Sequence, residues 1–340
     1  SLFYRIKKLT NMFKGKKILI TGGTGSLGKA LAKRLLELDA EIVRIYSRNE
    51  NSQTTMESEF NDGRLRYFIG DVRDLPRLVK AMEDVDIVYH AAALKHVPVV
   101  EYNPFEAIKT NVLGSQNVID ACLHENIETV VCVGTDKAVS PLNTYGATKL
   151  LMEKLFVTAS NYTNRERHKT KFIAIRYGNV LGSSGSVVPT LLKQIESGRN
   201  ITITDPNMTR FNITMNQALD FIIRSSKKGN GGEVFIPKLK AYSLGILKEA
   251  ILEVLEKDVK TELISVRPGE KYHESLISSE EIRNTFEDKD DYVILEDSLQ
   301  NNIKTKKSTL TNQYSSDVVE CLTKKELKKI LIEEKLVSTK

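Results

Sequence analysis

The chain has 340 residues, 41% of them hydrophobic and 28% charged, a composition of folded and not of disordered protein. Its 50 Lys and Arg exceed its 44 Asp and Glu by six, yet residues 1–17 alone hold six basic residues (Arg5, Lys7, Lys8, Lys14, Lys16, Lys17) and no acid, and residues 301–340 hold nine Lys against five acids. The span 18–300 is left slightly acidic, 35 basic against 39 acidic residues, which speaks against nucleic acid as a partner because that needs a basic stripe on the folded body.

No apolar run approaches the ~20 residues that cross a bilayer, and the N-terminus lacks the apolar core and cleavage site of a signal peptide. Cys122, Cys132 and Cys321 are scattered and form no CxxC pair, and His90, His96, His124, His168 and His273 show no ligand spacing with them. A cytoplasmic protein without membrane insertion or a metal site is the expectation. Met12 would serve as a start, which would make SLFYRIKKLTN an extension.

Along the chain, KILIT (17–21) is a short apolar run. It is followed by the glycine-rich GGTGSLG and then by KALAKRLLELDA, whose apolar positions recur at helical spacing, so the spacing predicts strand, tight turn, helix. EIVRIYS, RLRYFIGDV, VDIVYHAAA and TVVCVGTD continue as strands, with helical segments between most of them. Continuous apolar strands alternating with helices predict a parallel sheet covered on both faces. After the helix LLMEKLFVTASNY comes the strand KFIAIRYGNV. Beyond it lie the turn-rich GSSGSVVP, the strand and loop ITITDPNMTRF, and the charged loop RPGEKYHE. Irregular insertions at the carboxyl ends of strands are where open α/β sheets bind ligands. LTKKELKKILIEEKLV (322–337) reads as an amphipathic helix whose lysines form a solvated face.

Gly22, Gly25 and Gly28, with Thr24, Ser26 and Leu27 between them, stand directly after the first strand and open a helix. Backbone N–H groups in such a turn approach a pyrophosphate, and the helix dipole favours the anion. The second strand ends in Ser47 and Arg48, where an NAD-preferring site carries an acid for the ribose 2′-hydroxyl; a guanidinium suits a 2′-phosphate, so NADP is expected. The competing reading is a surface arginine at a strand end. Asp71 and Val72 are placed to meet the adenine, and Ala91, Ala92 and Ala93 are small enough for a cofactor to lie against. Tyr145 and Lys149 are four apart and share a helix face, where the ammonium would lower the phenol's pKa and make it a base.

These residues together resemble the extended short-chain dehydrogenase/reductase family, over roughly residues 16–320. HAAALKHVPVVEYNP, TDKAVSPLNTYGATK, RYGNVLGSSGSVVP, ITDPNMTRF and RPGEKYHE are similar to the inverting UDP-N-acetylglucosamine 4,6-dehydratases of the pseudaminic-acid and surface-polysaccharide pathways. The resemblance implies a Rossmann-like doubly wound α/β sheet with a smaller C-terminal substrate-binding lobe. Its expected parts are a basic N-terminal extension over 1–15, an NADP-binding domain over 16–180 with core strands that continue further, a mainly substrate-binding lobe over 181–320, and a C-terminal helix and tail over 321–340.

It further implies a tightly bound, recycled NADP. Tyr145 would take the C4 hydroxyl proton, and Lys149 would hold the nicotinamide ribose. Lys137, in the triplet Thr135-Asp136-Lys137, would take the C5 proton, and Asp136 would protonate the departing 6-hydroxyl. A base of this kind needs a depressed pKa, which burial beside cations would supply. Lys95 is implied near both cofactor and sugar, Gly134 and Val180 beside the cofactor. Asn179, Arg210, Arg267 and Glu270 would lie around the UDP, and Tyr314 would close the site, while Met208 and His273 are read as packing and loop residues. The substrate implied is UDP-N-acetylglucosamine and the assembly a homo-oligomer. Gly134 stands where Ser is common and Leu27 where Phe is frequent. The alternatives are a retaining dehydratase, which often has Met at position 145; a UDP-sugar 4-epimerase, which has no use for Asp136 and Lys137; and a non-catalytic NADP sensor.

Overall fold

A computed structural model describes residues 12–164, 166–296 and 305–337. The first six strands are β1 (Lys17–Thr21), β2 (Ile42–Ser47), β3 (Leu65–Ile69), β4 (Ile87–His90), β5 (Thr129–Val133) and β6 (Lys171–Ile175). They are joined through α1 (Ser26–Glu37), α2 (Glu50–Phe60), α3 (Leu75–Met82), α4 (Gly114–His124) and α5 (Thr144–Tyr162). All six strands pair in parallel in the spatial order β3-β2-β1-β4-β5-β6. The order reverses beside β1, which lies between β2 and β4, and this opens a crevice at the carboxyl ends of the strands.

The apolar runs are explained by burial on both faces. Ile18 and Ile20 point into one core with α1 residues Leu31 and Leu35, while Leu19 points into the other with Leu78, Val118 and Phe156 of α3, α4 and α5. The same alternation separates Val131 from Cys132 and Ile173 from Phe172.

Beyond residue 180 the chain forms α6 (Val187–Glu196), β7 (Ile201–Ile203), β8 (Thr209–Phe211), α7 (Met215–Lys228), β9 (Val234–Pro237), β10 (Ala241–Ser243) and α8 (Leu244–Leu255). Then come β11 (Thr261–Leu263), β12 (Ser275–Ile277), β13 (Thr285–Glu287), β14 (Asp291–Ile294), β15 (Lys306–Lys307), β16 (Tyr314–Ser315) and α9 (Lys324–Glu333). β9 returns to the main sheet parallel to β6, and β14, β13 and β15 extend it antiparallel, so the core sheet does continue past residue 180. β7 with β11, β8 with β10, and β12 with β16 form three separate two-stranded pieces.

α9 caps the lobe, with Leu327 and Leu331 buried against Leu247 and Ile251 of α8. At the other end, Met12 and Phe13 pack into the core and Lys14 bridges to Ala40, so the expected extension over 1–15 is not free at residues 12–15. Residues 1–11 and 338–340 lie outside the described residues. Among the described residues no helix is long and apolar enough to cross a membrane, and no cluster of His, Cys, Asp and Glu is arranged to hold a metal ion.

Candidate active site

The turn from β1 into α1 begins at Gly22, with φ 68°, and a Cβ there would stand 2.9 Å from the backbone nitrogen and Cα of Ala92. The turn therefore lies directly on the residues that follow β4. α2, α3 and α5 are capped by the side chains of Asn49, Asp74 and Asn143; α1 starts at Gly25 with no side-chain cap and no acid in its first turn. Its first N–H groups are left open to a ligand, which is the donor set a pyrophosphate needs.

Gly22, Thr24, Gly25, Ser26, Leu27 and Gly28 line one cleft together with Ser47, Arg48, Asp71, Val72, Ala91, Ala92, Ala93, Lys95, Gly134, Thr135, Tyr145, Lys149 and Val180. Every residue read from the sequence as cofactor-contacting thus borders a single space. Ser47 accepts from Gln53 Nε2 at 3.0 Å, and Asp71 is held by Arg73 at 2.8 Å, whereas the Arg48 guanidinium is exposed to the cleft and hydrogen-bonds to no described residue. A guanidinium without a hydrogen-bond partner among the described residues and an uncapped helix start, bordering one cleft, fit a dinucleotide cofactor. Gly134 has a packing reason: a Cβ there would stand 2.4 Å from the Ile175 carbonyl oxygen, so serine has no room.

The Thr135-Asp136-Lys137 triplet sits on the short turn after β5. Thr135 Oγ1 donates to Asp136 Oδ1 at 3.0 Å, and Lys137 Nζ donates to the same oxygen at 3.1 Å. Asp136 is 2% exposed and packs against Gly178, where a Cβ would lie 2.8 Å from Asp136 Oδ2. Lys137 Nζ also stands 3.7 Å from Glu274 Oε1. Burial works against its charge, but Asp136 and Glu274 outweigh burial and push the Lys137 pKa up. The depressed pKa expected for a base is therefore not what the free site shows, because the neighbours of Lys137 are carboxylates and not cations.

A second correction concerns the tyrosine–lysine pair. Lys149 is buried, donates to the Val133 carbonyl at 2.7 Å and touches Met152 Sδ, and burial lowers its pKa to about 8. Burial raises the Tyr145 pKa, and the cation opposing that shift is Lys137, with the Thr135 hydroxyl assisting. The carbonyl of β5 captures the Lys149 ammonium, so the four-residue spacing does not by itself bring it to the phenol.

On the lobe side, Lys95, Asn179, Arg210, Arg267 and Glu270 border the adjoining cavity together with Lys137, Tyr145 and Glu274. Arg210 reaches Glu270 at 3.3 Å and Glu274 at 3.8 Å, and the Arg267 backbone N–H donates to Glu270 Oε2 at 3.2 Å. The two cavities share Lys95, Tyr145 and Asn179, so the sheet-side and lobe-side spaces meet at these residues. The site spans sheet and lobe, joined in part by Asn143 Nδ2 donating to the Gly269 carbonyl at 3.0 Å.

Tyr314 is elsewhere. It is 4% exposed, its ring packs on Phe211 and Tyr292, and its hydroxyl accepts from Leu239 N–H at 2.6 Å, so it is a core residue and does not close the cleft. Met208 is fully buried and His273 is bound to Thr209 Oγ1 at 2.7 Å, in keeping with packing and loop roles. Sequence reasoning passed over Glu274, Lys271, Tyr177 and Asn111. Asn111 is buried and ties down the backbone of Leu94 on both sides, fixing the loop that carries Lys95. The only sequence signal for Glu274 is its place at the end of RPGEKYHE.

With this geometry in view, residues 18–296 match the family described as polysaccharide biosynthesis protein. The chain belongs to this family. A UDP-N-acetylglucosamine 4,6-dehydratase (inverting) from Campylobacter jejuni is 49% identical over 285 residues, covering 83% of this chain and 84% of the relative. A UDP-glucose 4-epimerase from Rickettsia massiliae is 39% identical over 331 residues, covering 94% of this chain and 96% of the relative. Among solved structures, that of Pen from Bacillus thuringiensis superposes with a TM-score of 0.89 at 40% identity, covering 96% of this chain and 99% of the other. The resemblance drawn from the motifs and the Rossmann-like fold expected from it are both borne out. The chain is an enzyme of the dehydratase and epimerase type built on the short-chain dehydrogenase/reductase scaffold.

Proposed function

We propose that the chain is an NADP-dependent, C5-inverting UDP-N-acetylglucosamine 4,6-dehydratase, forming UDP-2-acetamido-2,6-dideoxy-β-L-arabino-hexos-4-ulose. The observation that carries this is the Asp136–Lys137 pair, 3.1 Å apart, whose lysine borders the lobe-side cavity together with Tyr145, a residue common to both cavities. C4 epimerisation moves one proton and one hydride at a single carbon. Elimination across C5 and C6 additionally needs a base for the C5 proton and an acid for the 6-hydroxyl, and this pair supplies both. The 49% identity to the inverting dehydratase of Campylobacter jejuni supports the same reading, while the 39% identity to an epimerase is why the pair has to decide.

Bound in the cleft, NADP would supply the reversible hydride chemistry that a 4,6-dehydration without net redox change needs. Arg48 would hold its 2′-phosphate, the open start of α1 its pyrophosphate, and Lys149 the nicotinamide ribose. Tyr145 takes the C4 hydroxyl proton, and the resulting ketone acidifies C5–H. Lys137 takes that proton, Asp136 gives one to O6, and water leaves. Protonation of C5 on the opposite face gives inversion. Arg210 and Arg267 hold the diphosphate of the substrate, matching planar guanidinium donors to phosphate oxygens.

The test is turnover of UDP-N-acetylglucosamine in heavy water, followed by NMR. The expected product is a 4-keto-6-deoxy sugar with deuterium at an inverted C5 and no net change in cofactor absorbance. An intact 6-hydroxyl with inverted C4 would assign epimerase activity, and retained C5 configuration the retaining reaction. Lys137→Ala is expected to abolish C5 exchange with the cofactor still bound; unchanged exchange would remove Lys137 as the base.

A further inference from the structure

Glu274 is the acid of the cleft that the reading above leaves without a task. Its side chain is 4% exposed; Oε1 faces Lys137 at 3.7 Å and Arg210 at 3.8 Å, and Oε2 is buried with no hydrogen-bond partner. Its backbone is clamped by Ser316, which accepts from its N–H at 2.9 Å and donates to its carbonyl at 2.8 Å, so the main chain that carries the carboxyl is fixed in place. The charged and titratable groups around it are Asp136 and Lys137 from the turn after β5, Arg210 from β8, Lys271 from its own loop and Tyr242 from β10. Asp136 and Glu274 thus share three cations, of which Arg210 also reaches Glu270 at 3.3 Å, and Glu274 Oε2 is dry. Burial, followed by the charge of Asp136, raises the proton affinity of Glu274, with Lys137, Arg210 and Lys271 pulling the other way. The balance is therefore set by how many of those cations stay beside it.

We propose that Glu274 is a positioning residue that takes up a proton when the diphosphate of the substrate draws Arg210 away, and that this uptake arms Lys137 as the base. The inference rests on the reading of Arg210 as a diphosphate ligand. A dry carboxylate that loses a neighbouring cation binds a proton from solvent, forming an O–H bond on Glu274. Lys137 then faces one carboxylate instead of two, and its own proton passes to Asp136: one N–H bond breaks and one O–H bond forms. This leaves a neutral amine for C5–H and a loaded acid for O6 in a single transfer. Elimination reverses the transfer, since Lys137 gains the C5 proton and Asp136 gives its proton to the leaving hydroxyl.

The experiment reads proton uptake when stoichiometric UDP-N-acetylglucosamine is mixed with holoenzyme in weak buffer containing a pH indicator. Conversion of this substrate releases water and no net proton, so the signal reports binding whether or not turnover follows. Wild type is expected to take up a proton, up to one per site, and Glu274→Gln none. Because Gln imitates the protonated carboxyl, that variant is expected to keep its turnover within about tenfold and to lose the alkaline limb of the kcat–pH profile. Glu274→Asp, which retains a titratable group, is expected to keep the uptake. Wild type without uptake overturns the proposal, as does uptake that is unchanged in Glu274→Gln. Should Glu274→Gln not fold, loss of the uptake in Glu274→Asp overturns it as well. Failure of the dehydratase reading shows itself separately, as a wild-type product without deuterium at C5.

Discussion

Gly178→Ala tests whether the placement of Asp136 matters to a few tenths of an ångström. The backbone of Gly178 is outside the left-handed region, so alanine adds no torsional strain there, and its Cβ would meet Asp136 Oδ2 at 2.8 Å with Phe211 Cβ at an ordinary 3.7 Å. Reaching an ordinary contact of 3.4 Å displaces the carboxylate by about 0.6 Å. Asp136 cannot yield without stretching its bonds to Thr135 at 3.0 Å and Lys137 at 3.1 Å, the two contacts that aim it. A positioned general acid contributes about 10²-fold or more, and misplacement on this scale is expected to forfeit roughly 10²-fold in kcat, about 2.7 kcal/mol. The stability loss from local overpacking is about 1–3 kcal/mol. Product formation is followed by NMR, with cofactor content and urea denaturation as controls. Wild-type kcat in a folded variant would refute the reasoning, as would a loss of kcat that tracks loss of cofactor, because Gly178 would then act on the dinucleotide side and not through Asp136.

Arg48→Ala is expected to weaken NADP binding by about 10- to 100-fold, the worth of a charge-assisted hydrogen bond, and to leave NAD affinity unchanged; titration of cofactor-free protein checks both. Lys149 has a folded-state pKa near 8, below its ordinary 10.5, so the folded state binds fewer protons between those values and its contribution to stability rises with pH across that window. Lys149→Met is accordingly expected to remove that rise, read as a difference from wild type in urea denaturation that shrinks between pH 7 and pH 10; an unchanged pH dependence would refute it. Tyr314→Phe is expected to leave kcat and KM unchanged and to cost about 1–2 kcal/mol, because the Leu239 N–H loses its acceptor; a raised KM would return Tyr314 to the site.

The alternation of apolar strands and helices, the glycine turn after KILIT and the small residues after VDIVYH were legible because each is local. A strand buried on both faces has to be apolar throughout, and a turn packed on neighbouring backbone has to be glycine. From such segments alone the sequence determined the parallel sheet, the position of the crevice and the glycine-turn, strand-end and alanine residues that border its cleft.

What it did not determine were facts about which distant groups meet. β9 and β14 join the sheet through pairings that no local pattern announces. Tyr314 lies near the end of the chain, yet its hydroxyl is spent on the backbone of Leu239, which removes it from the cleft. The spacing of Tyr145 and Lys149 was visible, but a long side chain goes to the strongest acceptor within reach, and for Lys149 that is the carbonyl of Val133. Glu274 is 137 residues after Lys137 and comes to face it only when the lobe folds over the sheet. The charge on a lysine depends on the carboxylates within a few ångströms of it and on the water excluded around them, and both are properties of the tertiary structure alone.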